Sequence, residues 1–199
     1  MTILPSSYLP SIEYFAHLIF DDEVVVDIYE HYIKRSERNR CRIMTAAGVM
    51  ELTVCVERAN RPRQVMRDIK IDYSKRWQHQ HSLAILAAYK SSPYYEHYAP
   101  YLEPYFKRRY ETLVELNSDL VRAIMKLLGA KREVVFSREY IPAGVAQLDL
   151  RPKHREPFVH PEYVQVFCDR EPFVGNLSIL DLLFNEGPHS LSLLAESRR

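Results

Sequence analysis

Glycine is scarce in this chain, and its scarcity excludes two common nucleotide-binding motifs. Only five of the 199 residues are glycine, and they form neither a Gly-x-Gly-x-x-Gly pattern nor a Walker loop. Both motifs need glycines where the backbone closely approaches phosphate groups. A dinucleotide-binding fingerprint and a P-loop are therefore excluded.

Cysteines and long apolar runs are also few. Cys41, Cys55 and Cys168 are scattered, odd in number and without a Cys-x-x-Cys pair, which is typical of free thiols in a reducing compartment. No apolar run approaches the ~20 residues of a membrane span. The N-terminus lacks the basic start and apolar core of a secretory signal. We therefore expect a cytoplasmic protein without a membrane span.

The composition is that of an ordinary globular domain. Hydrophobic residues make up 47% of the chain, charged residues 27%, and the net charge is +1. The length fits one domain with a sizeable core. We expect a single domain over residues 1–189 and a mobile tail over 190–199.

Strand-like and helix-like segments alternate in the first half of the chain. Short apolar or β-branched runs predict strands at 2–4, 24–28 and 52–56. Helices are predicted from Ser11, as an N-cap, and over 74–89, where one face holds Trp77, His81, Ile85 and Ala88. The order predicts an α/β fold with a short mixed or mostly parallel sheet flanked by helices, and a helical and irregular C-terminal half.

The second half of the chain has one long apolar stripe. Its spacing predicts a helix over 104–128, with Asn117 inside the stripe and Gly129 as the stop. Strands are predicted at 133–136 and 163–167, with irregular structure over 141–160. A short helix is predicted to begin at Ser178.

Positive charge is concentrated in one segment. Residues 34–67 contain nine Lys or Arg against three Glu. In an extended stretch, Arg38, Arg40 and Arg42 would share one face, and a guanidinium presents a planar fork of donors to carboxylate or phosphate. The pattern indicates an anion-binding pocket or patch. A charged, solvated strand edge is the alternative.

Four segments carry a resemblance to a known family. They are 4–15 (Leu-Pro-Ser-Ser-Tyr-Leu-Pro-Ser-Ile-Glu-Tyr-Phe), 32–35 with 39–43, 88–90 with 93–95, and 177–185. The chain resembles the WbqC-like protein family, in a form similar to members common in Bacteroidetes. One departure is Glu13, which stands where the family usually has Gly.

The resemblance implies a bacterial protein linked to surface-polysaccharide or O-antigen synthesis. On that basis we expect an enzyme of sugar or nucleotide-sugar metabolism that acts on a nucleotide-sugar or other phosphorylated substrate, by transfer of an acyl or aminoacyl group to an amino sugar. A non-catalytic binding protein, whose basic face meets an acidic partner or a second copy of itself as a homo-oligomer, is the alternative. The sequence names no cofactor.

The predicted site combines acid–base groups with an anion clamp. Asp27, Glu30 and His31 precede the arginines and could act as an acid–base set, or could serve as counter-charges that hold the arginines. The predicted ligand is an anionic small molecule, a nucleotide or nucleotide-sugar. Its predicted binding residues are Tyr8, Tyr32, Lys34, Arg35, Arg38, Asn39, Arg40, Arg42, Trp77 and Tyr89.

Metal and nucleic-acid sites are not predicted. His79 and His81 lie two apart, and on a helix they point in directions ~200° apart, which hinders shared ligation. Cys41 would face away from the arginines on an extended strand, as a small core residue does. The local character of the positive charge and the absence of a known motif argue against nucleic acid.

Overall fold

The structure, a computed structural model, describes residues 1–57, 63–152 and 157–197. Its strands are β1 (Thr2–Pro5), β2 (Val24–Asp27), β3 (Arg40–Thr45), β4 (Gly48–Thr53) and β5 (Leu148–Asp149). Its α-helices are α1 (Ile12–Phe20), α2 (Trp77–Tyr89), α3 (Tyr95–Lys107), α4 (Leu113–Leu127), α5 (Ile179–Glu186) and α6 (Ser190–Glu196). The predicted α/β fold is confirmed.

Two small sheets organise the molecule. In the first, β1 lies between β2 and β5, and both pairings are parallel. In the second, β3 and β4 form an antiparallel hairpin, with Arg42 opposite Glu51. A short bridge between Ser11 and Ser178 runs beside the hairpin, and the Ser178 amide donates to the Arg42 carbonyl at 2.8 Å. The hairpin is therefore fixed to the starts of α1 and α5.

The core lies where the helices meet these sheets. β1 is buried along its whole length, and α1 packs against α5 and α6. Trp77, His81, Ile85 and Ala88 form the buried face of α2, as predicted. Within the described ranges, no helix is long and apolar enough to cross a membrane.

The start of the chain follows its sequence pattern closely. Ser11 is the N-cap of α1, and its hydroxyl accepts the Tyr14 amide at 3.4 Å. The β-branched run Val24–Asp27 forms β2, because such side chains suit a buried pleated surface. The predicted strand 52–56 overlaps only the end of β4, which begins at Gly48 after the hairpin turn.

The predicted helix over 104–128 is wrong, because two helices share its apolar stripe. α3 ends at Lys107, and Pro104 lies inside it instead of at a helix start. Thr112 then caps α4: its hydroxyl accepts the Glu115 amide, and the Glu115 carboxylate accepts the Thr112 amide. This reciprocal capping box starts a new helix where periodicity alone suggests continuation.

Two further strand predictions are wrong. Residues 133–136 contribute a single bridge, in which the Val26 amide donates to the Val135 carbonyl. Residues 163–167 form no strand, because Tyr163 and Gln165 bond through their side chains to Asp181 at 2.6 and 2.8 Å. The alternation of residue types over 163–167 therefore places these side chains against Asp181, and it does not mark a strand paired through its backbone.

The C-terminal segment is folded as far as it is described. Ser178 caps α5 as predicted, and Gly187 ends it with φ +53°. α6 follows within the segment predicted as a tail, and Ser190 and Leu194 in it are fully buried.

Candidate functional site

A cavity of about 180 Å³ opens beside the carboxyl end of β1. Ligands of open α/β folds gather at this end of the strands. We call it the arginine pocket; it is lined by Pro5, Leu9, Pro10, Ser11, Arg35, Ser36, Glu37, Arg38, Arg40, Cys41, Arg42, Glu51, Leu150, Pro152, Asn176 and Ser178. Four of the five predicted cationic residues therefore line one cavity.

Two of these guanidiniums belong to β3. Arg40 and Arg42 are two residues apart, so they share one face of the strand. Arg40 donates from Nη1 to Glu51 at 2.8 Å, and Arg42 donates from Nη2 to the Asn176 carbonyl at 3.1 Å. The buried Nε of Arg40 finds no acceptor among the described residues. Both side chains thus have donors left for a ligand.

Arg38 does not share that face, which corrects the predicted three-guanidinium row. The extended stretch begins only at Arg40, and Arg38 belongs to the turns before it. Its side chain is 2% exposed. Its guanidinium donates to both carboxylate oxygens of Glu30, to the Ser36 hydroxyl and to the Arg151 carbonyl. Arg38 is a wall of the pocket, and four of its five N–H donors are already used.

Glu30 and Asp27 hold buried arginines. Glu30 forms the ion pair with Arg38, and burial raises the pKa of its carboxyl to about 7 against the opposing effect of that guanidinium. Asp27 is fully buried and accepts Arg151 Nη1 at 2.7 Å and the Ser137 hydroxyl at 2.9 Å. These contacts match the counter-charge interpretation.

Three other predicted residues before the strand, His31, Tyr32 and Lys34, lie outside the pocket lining. His31 is exposed and stacks on Tyr140, with ring centroids 5.8 Å apart. Lys34 is exposed and Tyr32 half-buried, and neither lines the cavity, although Arg35 next to them does. Burial and, to a lesser extent, the nearby Asp27 carboxylate raise the pKa of Glu30, whereas His31 makes its ring contact with Tyr140.

Three predicted aromatic ligands are core residues instead. Tyr8 is buried with its hydroxyl 2.9 Å from His81 Nδ1, and Trp77 packs edge-on against the same ring. The Tyr89 hydroxyl donates to Asp181 and accepts the Met44 amide. Large aromatic surfaces gain most from burial, and none of the three lines the arginine pocket.

Asn39 is also structural. It is 5% exposed, and its Nδ2 donates to the Val54 carbonyl at 2.9 Å. The Val54 amide in turn donates to the Asn39 carbonyl at 2.8 Å. Asn39 thereby ties the approach to β3 to the end of β4.

The start of α1 has the partial positive charge of the helix dipole, but few of its backbone amides are free to donate. The amide of Ile12 donates to the Leu177 carbonyl, that of Glu13 to Asn176 Oδ1, and that of Tyr14 to Ser11 Oγ. The first turn is thus satisfied by the protein itself, although the helix dipole still favours an anion nearby. Direct contacts to an anion must come from the guanidiniums.

Sequence reasoning missed Asn176 and Arg151. Asn176 lines the pocket in a left-handed conformation with φ +53°, and the Gly175-Asn176 pair is a turn signal that could have drawn attention to it. Arg151 bonds to Asp27, Asp149 and two backbone carbonyls. It pairs across 124 positions with Asp27, and no local pattern reveals such a contact.

No group of three His, Cys, Asp or Glu side chains within the described ranges could hold a metal ion. His81 is buried and bonded to Tyr8, whereas His79 is exposed. The two side chains point apart on α2, as the helical geometry predicts. Cys41 is buried, and burial raises the pKa of its thiol well above the usual range.

The fold and the site together define a class: an α/β protein with an arginine-lined pocket at the carboxyl edge of a small parallel sheet. The chain belongs to the WbqC-like protein family, whose model matches residues 6–154. This range includes β2–β5 and most of the pocket lining, but not β1, Pro5, Asn176 or Ser178.

One relative aligns with the whole of this chain. The uncharacterised protein Rv1507c of Mycobacterium tuberculosis is 28% identical over 232 aligned residues, which cover 100% of this chain and 99% of that protein. No solved structure matches the chain.

Proposed function

We propose that the arginine pocket binds the anionic group of a small phosphorylated molecule, with a nucleotide or nucleotide-sugar as the expected class. One observation carries the proposal: Arg40 and Arg42 stand side by side on β3 and face one cavity with donors left over. Paired guanidiniums match the geometry and charge of phosphate oxygens.

The size of the cavity suits the charged group of a ligand better than a whole ligand. Its volume of about 180 Å³ lies below the ~300 Å³ at which pockets for whole drug-sized ligands begin. The pocket would therefore enclose the phosphate portion, with the rest of the ligand at the mouth beside the exposed Arg35.

We extend the proposal to an enzyme acting on this ligand. Glu30 reaches the pocket only through Arg38, which occupies both of its carboxylate oxygens, so in such an enzyme it would fix the pocket wall and would not contact the substrate. Acyl or aminoacyl transfer to an amino sugar, in surface-polysaccharide synthesis, is the narrower proposal, and family resemblance alone supports it.

The non-catalytic alternative needs a flat basic face. An acidic protein or a second copy would meet such a face through many exposed charges, and its binding would depend on salt. The concave position of Arg38, Arg40 and Arg42 around one cavity favours a small ligand.

The test is anion binding measured by calorimetry at low salt. The panel contains phosphate, pyrophosphate, ATP, CTP, and UDP- and dTDP-sugars, each titrated into wild type, Arg40→Ala and Arg42→Ala. We expect each substitution to weaken binding roughly 10–100-fold, because a charge-assisted contact contributes about 1.5–3 kcal/mol.

The matched control is Arg109→Ala. Arg109 is an exposed arginine whose guanidinium lies 4.6 Å from the Tyr73 ring, outside the pocket lining. Arg109→Ala removes one positive charge, as the two pocket variants do, and should leave the affinity for the anions unchanged. Equal losses in all three variants would mean non-specific charge attraction, and no binding by the folded wild type would refute the proposal.

A further inference from the structure

The Asn176 carbonyl accepts a hydrogen bond from Arg42, one of the two guanidiniums that β3 contributes to the pocket. We propose that Asn176, fixed by His160 and Glu13, is a positioning residue that aims Arg42 at the bound anion. The inference rests on the proposed function of the arginine pocket and adds the residues that make one of its arginines effective.

Asn176 is fixed through its side chain as well as its backbone. Its Oδ1 accepts the Glu13 amide at 2.9 Å, and its Nδ2 donates to Glu13 Oε2 at 3.2 Å. Glu13 is 8% exposed at the start of α1. Asparagine tolerates the left-handed backbone better than most residues, so this conformation is compatible with the two contacts to the helix.

His160 holds the same residue through its backbone amide. Its Nε2 accepts the Asn176 amide at 2.8 Å, and its Nδ1 lies 2.8 Å from the Pro161 carbonyl. A carbonyl can only accept, so the proton is on Nδ1 and the Nε2 lone pair faces Asn176. Tyr163 stacks on the ring and Phe173 packs on its edge.

The contact with Arg42 orients that side chain without neutralising it. Arg42 Nη2 donates to a carbonyl oxygen of Asn176, which carries no net charge. Arg40 instead is paired with the carboxylate of Glu51, which both orients and neutralises it. Arg42 therefore meets the ligand with its full charge and a fixed direction, and a pre-oriented donor costs less to immobilise on binding.

The test is a double-mutant cycle with inorganic pyrophosphate as the probe. Asn176→Gly removes both contacts to Glu13 yet tolerates positive φ. We expect it to weaken pyrophosphate binding about fivefold in wild type and in Arg40→Ala, and to have no further effect in Arg42→Ala, because coupled residues are not additive. Equal losses in both arginine backgrounds would overturn the inference.

A pair of His160 variants separates positioning from general packing. His160→Phe keeps an aromatic ring but removes the acceptor, whereas His160→Gln keeps an acceptor. We expect the affinity loss, about threefold, in the first and its recovery in the second. Losses of the same size in both variants would assign His160 to packing alone.

A ligand-free measurement keeps this inference separate from the proposed function. Nitrogen-15 NMR of the arginine side chains reports how fast the Arg42 guanidinium rotates and exchanges its protons. Asn176→Gly should speed both for Arg42 and leave Arg40 unchanged. If wild type binds no pyrophosphate, the proposed function fails, and an unchanged Arg42 signal would remove the positioning role as well.

Discussion

Two pairs of arginines lie near each other in this molecule and have opposite surroundings. Arg38 and Arg151 are buried, and carboxylates and carbonyls occupy their guanidiniums. Arg40 and Arg42 line the pocket, each with one protein acceptor in the described contacts. Arg38 and Arg40 are two positions apart in the sequence and still differ in role. The buried pair, Arg38 and Arg151, holds segments of the chain together, whereas the pocket pair, Arg40 and Arg42, has donors available to a ligand.

The difference arises from where the extended strand begins. Arg38 precedes β3 and turns inward to Glu30, whereas Arg40 is the first strand residue and points into the pocket. A buried guanidinium needs a carboxylate partner because desolvation of an isolated charge is costly. A half-exposed one keeps water on part of its surface and can exchange that water for a ligand.

The largest effect should follow from removing a buried arginine. Arg38→Ala leaves Glu30 buried without its partner, so we expect a loss of about 3–5 kcal/mol in the free energy of unfolding. Arg40→Ala breaks a partly exposed pair with Glu51 and should cost less than ~1 kcal/mol. Urea unfolding at pH 8 compares the two variants with wild type.

A double variant checks the cause of that loss. Arg38→Met with Glu30→Gln removes both charges, and the protein should recover part of the stability that Arg38→Ala loses. If Arg38→Ala and Arg40→Ala destabilise equally, the contrast between the two arginine pairs does not hold.

The two histidines of α2 extend the comparison to pH. His81 is buried beside Tyr8, and burial lowers its pKa from 6.5 to about 4, whereas His79 is exposed. Between those values the unfolded chain binds a proton that the folded protein does not. The contribution of His81 is therefore present above pH 6.5 and is lost as the pH falls towards 4.

His81→Gln should flatten this part of the pH profile. Within the window, the stability of wild type relative to the variant should fall by up to about 1.4 kcal/mol for each pH unit of acidification. Urea unfolding at several pH values between 4.5 and 7 measures the difference, in which the contribution of Glu30 cancels. His79→Gln is the matched control, and an equal change of slope in both variants would contradict the assignment.

The beginning of the fold was predictable from sequence because its signals are local. A β-branched run, a serine N-cap and an apolar helix face each determine structure within a few residues, and β2, α1 and α2 followed them. The pairings that build the sheet are long-range, as in the bridge between Ser11 and Ser178. Such contacts leave no periodic pattern.

The error in the long helix has a physical explanation. Phe106, Tyr110 and Leu113 keep the helical spacing across the break, so the apolar stripe predicts no interruption. The capping box formed by Thr112 and Glu115 is also visible in the sequence, and it starts a new helix in spite of the continuous apolar stripe.

A capping substitution tests that explanation with an intermediate effect. Thr112→Ala removes the acceptor for the Glu115 amide, and we expect a loss of about 1 kcal/mol in the free energy of unfolding. Thr112→Ser keeps the hydroxyl and is the control. Chemical denaturation measures both, and a stability equal to wild type in Thr112→Ala would mean that tertiary packing alone sets the helix start.

The site was predictable in part. The density of arginines pointed to the pocket, because charge of one sign is visible in composition. Which arginines keep donors free at the cavity was not predictable, since Arg38, Arg40 and Arg42 look alike in sequence and differ in their burial and partners. Arg151 and Asn176 reach the same region from distant segments, and only the folded chain brings them there.

The smallest change in stability should come from Glu51, with an increase in affinity as its signature. Glu51 is 54% exposed and paired with Arg40 at the pocket, so Glu51→Gln should alter the free energy of unfolding by less than ~0.5 kcal/mol. It also removes a negative charge that competes with the anion for Arg40. We therefore expect pyrophosphate to bind roughly two- to fivefold more tightly at low salt, and the gain to shrink as salt screens the charges. Glu30→Gln is the contrast, because it should destabilise the fold through Arg38. Weaker binding by Glu51→Gln would mean that Glu51 holds Arg40 in its binding position and does not compete with the ligand.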